Sequence, residues 1–174
     1  MHNKQFNMLK KGLLSEFLHE AENTRKLLKA IPDTALGYKP QPELWSVAEL
    51  ASHIASIYAW YAGVFSVDTF DFGGFTYQRE DTSKASNIVA KFEENMAIAQ
   101  NAIEQSDEST YFNDWIMKSG DQVFIGPLPK VQAIRGFLYN HLYHHRGELV
   151  AHLRATGNKV PGLYGPTYEQ SQQA

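Results

Sequence analysis

Four long segments of this 174-residue chain carry apolar side chains at helical spacing, and no other feature of the sequence restricts the fold as much. Residues three, four or seven positions apart share one face of an α-helix, and an apolar face must be buried against another element. The spacing predicts helices at about 4–30, 46–66, 83–105 and 130–156. The predicted inner residues are Phe6, Leu13, Phe17, Ala21, Thr24, Leu28 and Ile31 in the first helix; Leu50, His53, Ile57, Tyr61 and Val64 in the second; Ile88, Phe92, Met96, Ala99 and Ile103 in the third; and Val131, Ile134, Leu138, His141, His145, Leu149 and Leu153 in the fourth.

Local signals mark where these helices begin and end. Pro32 stops the first helix, because proline cannot continue a helical hydrogen-bond ladder. Ser46 and Glu49 have the spacing of a capping box, which places the start of the second helix at this point. Gly157 follows the last helical residue and suits the left-handed conformation of a helix C-cap. Four such helices joined by long connections predict an all-α four-helix bundle.

The connecting segments have no helical period. Within the connector 106–129, only Val123–Ile125 predicts a short extended piece. We find no internal repeat and no linker composition, so we expect one domain over residues 1–165 and a C-terminal tail over 166–174. Aromatic residues are concentrated in the connectors: Tyr38, Trp45, Phe70, Phe72, Phe75 and Tyr77. They would shape an apolar pocket, although ordinary loop packing accounts equally for most of them.

Composition and charge exclude several classes of function. The net charge is −3, so neither a nucleic acid nor a membrane surface is expected as a partner. The chain has no cysteine, which excludes disulfides, thiolate zinc sites, iron–sulfur clusters and cysteine nucleophiles. The N-terminus lacks the apolar run of a signal peptide, and no stretch of about 18 apolar residues predicts a membrane span. We therefore expect a cytoplasmic protein.

Three histidines interrupt the apolar faces of two predicted helices. His141 and His145 are four residues apart and can point at one spot, and His53 occupies an inner position of the second helix. Burying an imidazole is unfavourable unless its nitrogens have partners, and one metal ion shared by three neutral imidazoles would satisfy all three. An isolated pair at this spacing is usually a chance occurrence, and the argument depends on the third inward-facing histidine.

Other residues near these positions have two possible roles. Glu49, Glu148 and His144 are candidates for orienting the ligands from outside the coordination sphere, since a ligating histidine normally donates its other N–H to an oxygen. Each of them also has a structural explanation. Glu49 equally fits the capping box, Glu148 can be a solvated carboxylate on the helix surface, and His144 can lie on the flank of the helix. Gly147 is unfavourable inside a helix, which predicts close approach of another helix there. The remaining histidines, His2, His19 and His152, are interpreted as structural.

Several competing chemistries do not fit. Leu142 stands where a zinc protease with the His-Glu-x-x-His motif needs glutamate. Glu16 and His19 match the Glu-x-x-His unit of di-iron bundles, but a second unit is missing. The sequence has no phosphate-binding loop and no dinucleotide fingerprint, and no serine–histidine–aspartate set can be read from the spacing.

At these residues the sequence resembles the DinB family, also called the DinB/YfiT-like metalloenzymes. The matching features occur in the family's order along most of the chain: the loop at Lys39-Pro40, Trp45-Ser46-Val47 with Glu49, His53-Ile54, Gly126-Pro127-Leu128-Pro129, His141-x-x-x-His145-Arg146-Gly147-Glu148, and Leu153-Arg154 with Gly157 and Val160-Pro161. Many relatives have glutamine where this chain has Glu148.

The resemblance implies a bundle whose second and third helices run parallel, in an up-down-down-up order. It also implies one divalent metal ion held by His53, His141 and His145, with zinc, nickel or iron as the possible identities, and a homodimer. The catalytic residues stay unknown. Characterised relatives include thiol transferases, so the resemblance implies a small-molecule substrate and a low-molecular-weight thiol as its partner.

We therefore expect a metal-dependent enzyme that activates a thiol or a water molecule as nucleophile, similar to a thiol S-transferase. Two alternatives stay open at this point. One is a metal-dependent hydrolase, in which water attacks an ester, amide or phosphoester. The other is a non-catalytic metal-binding module for stress response or interaction.

Overall fold

A computed structural model of the chain describes residues 8–74 and 80–172, and in these residues the fold is mostly helical. The predicted Phe6 lies outside the described residues, as do His2, Phe75 and Tyr77. The long helices are α1 (Met8–Lys29), α2 (Val47–Phe65), α3 (Ala85–Gln105) and α5 (His141–Ala155). The short helices are α4 (Lys130–Ala133) and α6 (Tyr168–Ser171), with single 3₁₀ turns at Asp33–Ala35 and Glu108–Thr110.

The predicted ends of α2 and α5 are confirmed. The hydroxyl of Ser46 accepts a hydrogen bond from the backbone N–H of Glu49 at 3.1 Å, and the Glu49 carboxylate accepts one from the N–H of Ser46 at 2.7 Å. This reciprocal pair is a capping box and satisfies two amides that a helix start leaves free. After α5, Gly157 has φ of 76°, and its N–H donates to the carbonyl of Arg154 at 2.9 Å.

The prediction of an all-α fold is wrong in one respect, because the connectors form a small sheet. Strands β1 (Thr69–Asp71), β2 (Asp114–Ser119) and β3 (Gln122–Pro129) lie in the order β1-β2-β3, with β1 parallel and β3 antiparallel to β2. The extended piece predicted at 123–125 is part of β3. Strands β2 and β3 are neighbours in the sequence, but β1 comes from the earlier connector, so pairing between connectors and not periodicity completes the sheet.

The side chain of Trp115 attaches the sheet to the helices. It is fully buried, and its indole N–H donates to the backbone carbonyl of Gly63 in α2 at 3.0 Å. The two-residue connection between β2 and β3 contains Gly120 with φ of 59°. A Gly-Asp pair between two apolar runs is a hairpin signal, and it could have predicted this part of the sheet from the sequence.

The last predicted helix is interrupted. Residues Ile134–Asn140 form a π-helical segment between α4 and α5, which the sequence periodicity did not predict. A π-helical turn contains more residues than an α-helical turn, so it rotates the residues before it relative to those after it. This segment ends directly before His141.

The helices pack through the predicted apolar stripes. Most of the predicted inner residues are buried, and aromatic rings join the helices: Phe17 of α1 contacts Tyr58 and Tyr61 of α2, and Tyr58 contacts Phe92 of α3. Helix α2 packs against both α3 and α5. The exceptions on the stripes are partly exposed residues: His53, Met96, Val131, His141 and His145.

The neighbouring positions of α2 and α5 place His53 beside His141 and His145. In the described ranges of the chain, none of the helices combines the length and apolar character needed to cross a membrane.

Candidate metal centre

Three histidines from two helices converge at one point. Nε2 of His53 lies 3.2 Å from Nε2 of His141, and the ligand atoms of His53, His141 and His145 all lie within 4.8 Å of one another. The ring centroid of His145 lies 4.6 Å from the ring centroid of His53 and 4.6 Å from that of His141. The three side chains are partly buried, so the cluster lies at the edge of the core with access to solvent.

Hydrogen bonds fix the outer side of two of these rings. Nδ1 of His145 lies 2.6 Å from Oε2 of Glu148, which is a hydrogen bond from a protonated Nδ1 to the carboxylate. The His141 ring bonds to the backbone of Phe137, one turn earlier on the same chain segment. A proton held at Nδ1 leaves the lone pair of His145 on Nε2, which is the arrangement of a metal-ligating histidine.

Aromatic rings enclose the cluster. The Trp45 ring lies 4.8 Å from the His53 ring and 5.6 Å from the His145 ring, and Trp45 itself is 46% exposed. On the other side, Trp60 contacts His53 and His141 at 5.5 and 5.6 Å and stacks on Phe137 at 5.1 Å. These rings displace water from around the imidazoles, and Trp45 is the part of the enclosure that faces solvent.

The environment of His53 and His141 favours their neutral form. Burial, together with the neighbouring His145 and His141 rings, lowers the pKa of His53 to about 4. Burial and His145 also lower the pKa of His141. Neutral imidazole is the form that binds a metal ion, so at neutral pH protons do not compete strongly for these two side chains.

The donor set fits a divalent cation. Two nitrogens that bind one zinc ion at about 2.0–2.1 Å in a tetrahedral arrangement are about 3.3 Å apart. The 3.2 Å between Nε2 of His53 and Nε2 of His141 is close to this value. Three imidazoles and no thiolate suit zinc, nickel or iron, and the donors do not distinguish among them.

The residues predicted to support the ligands are found in different places. Glu148 bonds to His145 and also lies 3.4 Å from Nε2 of His144, so these three residues form a second group whose ligand atoms are within 4.8 Å of one another. Glu49 bonds to Ser46 and Lys39, and in the described residues no hydrogen bond joins it to His53. The structure thus brings Glu148 and His144 to the site and places Glu49 in the helix cap.

The predicted aromatic pocket is only partly present at the cluster. Of its members, Trp45 contacts the histidines directly, whereas Tyr38 contacts His152. Phe70 and Phe72 contact each other near the sheet. The remaining predicted members, Phe75 and Tyr77, lie outside the described residues.

Sequence reasoning missed Trp60 and Phe137, although a signal for them existed. Trp60 follows His53 by seven residues and Phe137 precedes His141 by four, so helical spacing places both on the same faces as the histidines. The predicted Trp45 contacts the histidines from a connector, and the helical segments add Trp60 and Phe137.

Comparison with known proteins gives one matching family. A model of the DinB family matches residues 1–174. An uncharacterised protein of Bacillus subtilis strain 168, YrdA, is 27% identical over 159 residues, which cover 90% of this chain and 89% of YrdA.

Two solved structures have a similar fold. A DinB-like protein from Bacillus cereus ATCC 10987 superposes with a TM-score of 0.67 at 22% identity, covering 88% of this chain and 97% of that chain. The DinB-like protein YjoA from Bacillus subtilis has a TM-score of 0.70 at 19% identity, covering 90% of this chain and 99% of that chain.

Proposed function

This chain belongs to the DinB family, and from that premise we propose that it binds one divalent metal ion through His53, His141 and His145 and uses it to activate a thiol or a water molecule. The observation that carries the proposal is the approach of Nε2 of His53 to Nε2 of His141 at 3.2 Å, between side chains from separate helices. A hydrogen bond between two neutral imidazoles would account for this pair alone. One shared cation accounts for the convergence of all three histidines, His145 included.

The residues around the centre have distinct roles in this proposal. A divalent cation at the three histidines would supply a Lewis acid that lowers the pKa of a thiol or water beside it. Oε2 of Glu148 accepts a hydrogen bond from Nδ1–H of His145 and so orients Nε2 toward the centre. Its other oxygen, Oε1, lies 3.4 Å from Nε2 of His144, so Glu148 acts through His145 as a positioning residue.

The aromatic rings determine what reaches the centre. Trp60 and Phe137 close the side facing the protein, and the half-exposed Trp45 lies on the side from which a small molecule enters. A thiol S-transferase-like reaction and hydrolysis both begin with this nucleophile. Product analysis distinguishes them, because hydrolysis incorporates oxygen from solvent whereas transfer consumes the thiol.

Elemental analysis of purified variants tests the centre. We expect His53→Ala, His141→Ala and His145→Ala to lose stoichiometric metal, because each removes one of three ligands. His19→Ala is the matched control, since His19 is exposed on α1 and away from the cluster. Glu148→Gln keeps a hydrogen-bond acceptor but loses the charge, so we expect metal affinity to fall by about 10-fold or more.

Circular dichroism spectra would show that each variant is folded. Metal content unchanged in the three histidine variants would refute the centre. Metal bound at wild-type level, together with no metal-dependent turnover of any thiol in a broad panel with a chromogenic electrophile, would refute the transferase activity and leave the binding intact.

We also propose that the helices have the up-down-down-up order of a four-helix bundle. The amide of Leu9 at the start of α1 bonds to Glu108 beyond the end of α3, and Arg25 near the end of α1 bonds to Glu93, which supports antiparallel packing of α1 and α3. Leu13 and Glu20 of α1 bond to Tyr139 and Arg146, which supports a parallel arrangement of α1 and the last helix.

A homodimer is a further proposal. Large apolar side chains remain exposed on the described surface, including Phe112, Tyr164 and Tyr168. Light scattering after gel filtration would measure the mass directly, and a monomeric mass across a range of protein concentrations would contradict the dimer.

A further inference from the structure

A cavity lies on the side of α5 opposite to the histidine cluster. It has a volume of about 290 Å³ and lies between α5 and the chain segment 160–167, which we call the C-terminal arm. Gly147 and Val150 form part of its wall from α5. Gly147 follows His145 by two residues, which is about 200° around a helix, so the cavity and the histidine cluster use different faces of α5.

Gly147 keeps this cavity open. A Cβ built at Gly147 meets no other atom within 4 Å, so the prediction that another helix approaches closely at this glycine is wrong. Glycine is unfavourable in a helix interior, and here no close packing requires it. The absent side chain instead leaves space that a larger residue would occupy.

The walls of the cavity combine apolar surface with positive charge. Val150, Val160 and Leu163 contribute apolar surface. Two arginines, Arg146 and Arg154, also line it. Arg146 is buried and pairs with Glu20, but its Nε–H has no hydrogen-bond partner. In the described residues Arg154 forms no ion pair, and the carboxylate on which its charge acts is that of Glu169 in α6, whose pKa it helps to lower.

We propose that this cavity binds a small organic carboxylate with an apolar body. The carboxylate would bond to Arg154 at the mouth, because guanidinium and carboxylate groups form paired hydrogen bonds. The apolar part would lie against Val150 and Leu163, as ligands do in pockets that are mostly apolar with a few polar groups. The proposed metal centre is not needed for this binding.

Amide chemical shifts in titrations with hexanoate and benzoate test the proposal, with hexanamide and benzamide as neutral probes of the same shape. We expect saturable shifts for the two acids, confined to the arm and to the face of α5 that carries Gly147, and much weaker binding of the amides. Arg154→Gln, an exposed substitution, should remove the preference for the acids.

Filling the cavity with a larger side chain provides a second test of the proposal. Gly147→Leu should weaken binding of the acids about tenfold or more and raise the thermal midpoint, since leucine is a better helix former. Gly12→Leu is the matched control, because Gly12 is an exposed helical glycine whose Cβ also meets nothing within 4 Å. It should raise the midpoint and leave binding unchanged.

The proposal is overturned if the acids cause no saturable shifts, if the amides bind equally well, or if Gly147→Leu binds the acids as the wild type does. Shifts that depend on protein concentration without any probe would assign the cavity to a second copy of the chain and would also overturn it.

Discussion

At the scale of the residue, Glu148 decides the charge behind the ring of His145. A glutamine oxygen could also accept the hydrogen bond from Nδ1 of His145, so the geometry does not require a carboxylate. The carboxylate places a negative charge beside Nδ1 of His145, and such a charge makes an imidazole a stronger donor to a cation. His144 lies against the same carboxylate, so Glu148 connects the exposed His144 to the histidine cluster.

The pH dependence of stability tests the environment of His53. Its pKa is about 4 in the folded chain, whereas a histidine in an unfolded chain has a pKa of about 6.5. Between these values the unfolded chain binds a proton that the folded chain rejects, so metal-free protein should lose stability as the pH falls from 6.5 toward 4. Above pH 6.5, His53 should contribute nothing to the pH dependence of the free energy of unfolding.

Urea unfolding in the presence of a chelator at pH 7.0, 5.5 and 4.5 would measure this dependence. His53→Gln is the comparison, because glutamine cannot titrate, and its stability should vary less over the same range. Equal pH dependence of the two proteins would show that His53 is not held in a site that disfavours its charged form.

At the scale of the element, the start of α2 and the interruption before α5 orient the histidines. The capping box fixes where α2 begins, and this determines which residues of α2 face α5. The π-helical segment Ile134–Asn140 ends one residue before His141, so it decides how α5 is rotated relative to α4. The spacing of the capping box in the sequence could predict where α2 begins. No spacing in the sequence predicted the π-helical interruption before α5.

Removing the cap tests the first effect. Ser46→Ala should destabilise the protein by about 1 kcal/mol, because the N–H of Glu49 loses its acceptor. A change of this size lowers the thermal midpoint of a chain of this length by roughly 2–4 °C. Ser46→Thr keeps the hydroxyl and should retain most of the stability. A midpoint unchanged in Ser46→Ala would mean that the cap contributes little.

At the scale of the whole molecule, Arg146 joins three parts of the chain. Its guanidinium pairs with the Glu20 carboxylate of α1, donates to the Glu20 carbonyl at 2.9 Å, and bonds to the hydroxyl of Tyr164 in the C-terminal arm. Both charged side chains are almost fully buried. Arg146, the residue next to His145 of the cluster, therefore attaches α5 to α1 and to the arm.

Breaking this pair tests its role. Glu20→Gln should destabilise the protein by about 3–5 kcal/mol, because it leaves a buried positive charge without a counter-charge. The double substitution Glu20→Leu with Arg146→Met should cost less than Glu20→Gln, since two apolar residues leave no unpaired charge. Urea unfolding of the wild type and of both variants gives the three free energies of unfolding to compare. A double variant as unstable as Glu20→Gln would indicate that packing and not charge dominates here.

The sequence by itself determined the features that depend on local spacing and local chemistry. These are the long helices and their buried stripes, the ends of α2 and α5, and the inward positions of His53, His141 and His145, because each depends on residues within a few turns. The family resemblance agrees with the match of the family over the whole chain.

Only the tertiary structure decided which distant segments meet. The sheet forms because connectors some 45 residues apart pair with each other, and the enclosure of the histidines by Trp45, Trp60 and Phe137 requires a loop and two helices to come together. The pairing of Glu20 with Arg146 and the cavity beside Gly147 likewise join residues far apart in the chain. Such contacts arise from packing of the whole chain, and no periodicity within one segment encodes them.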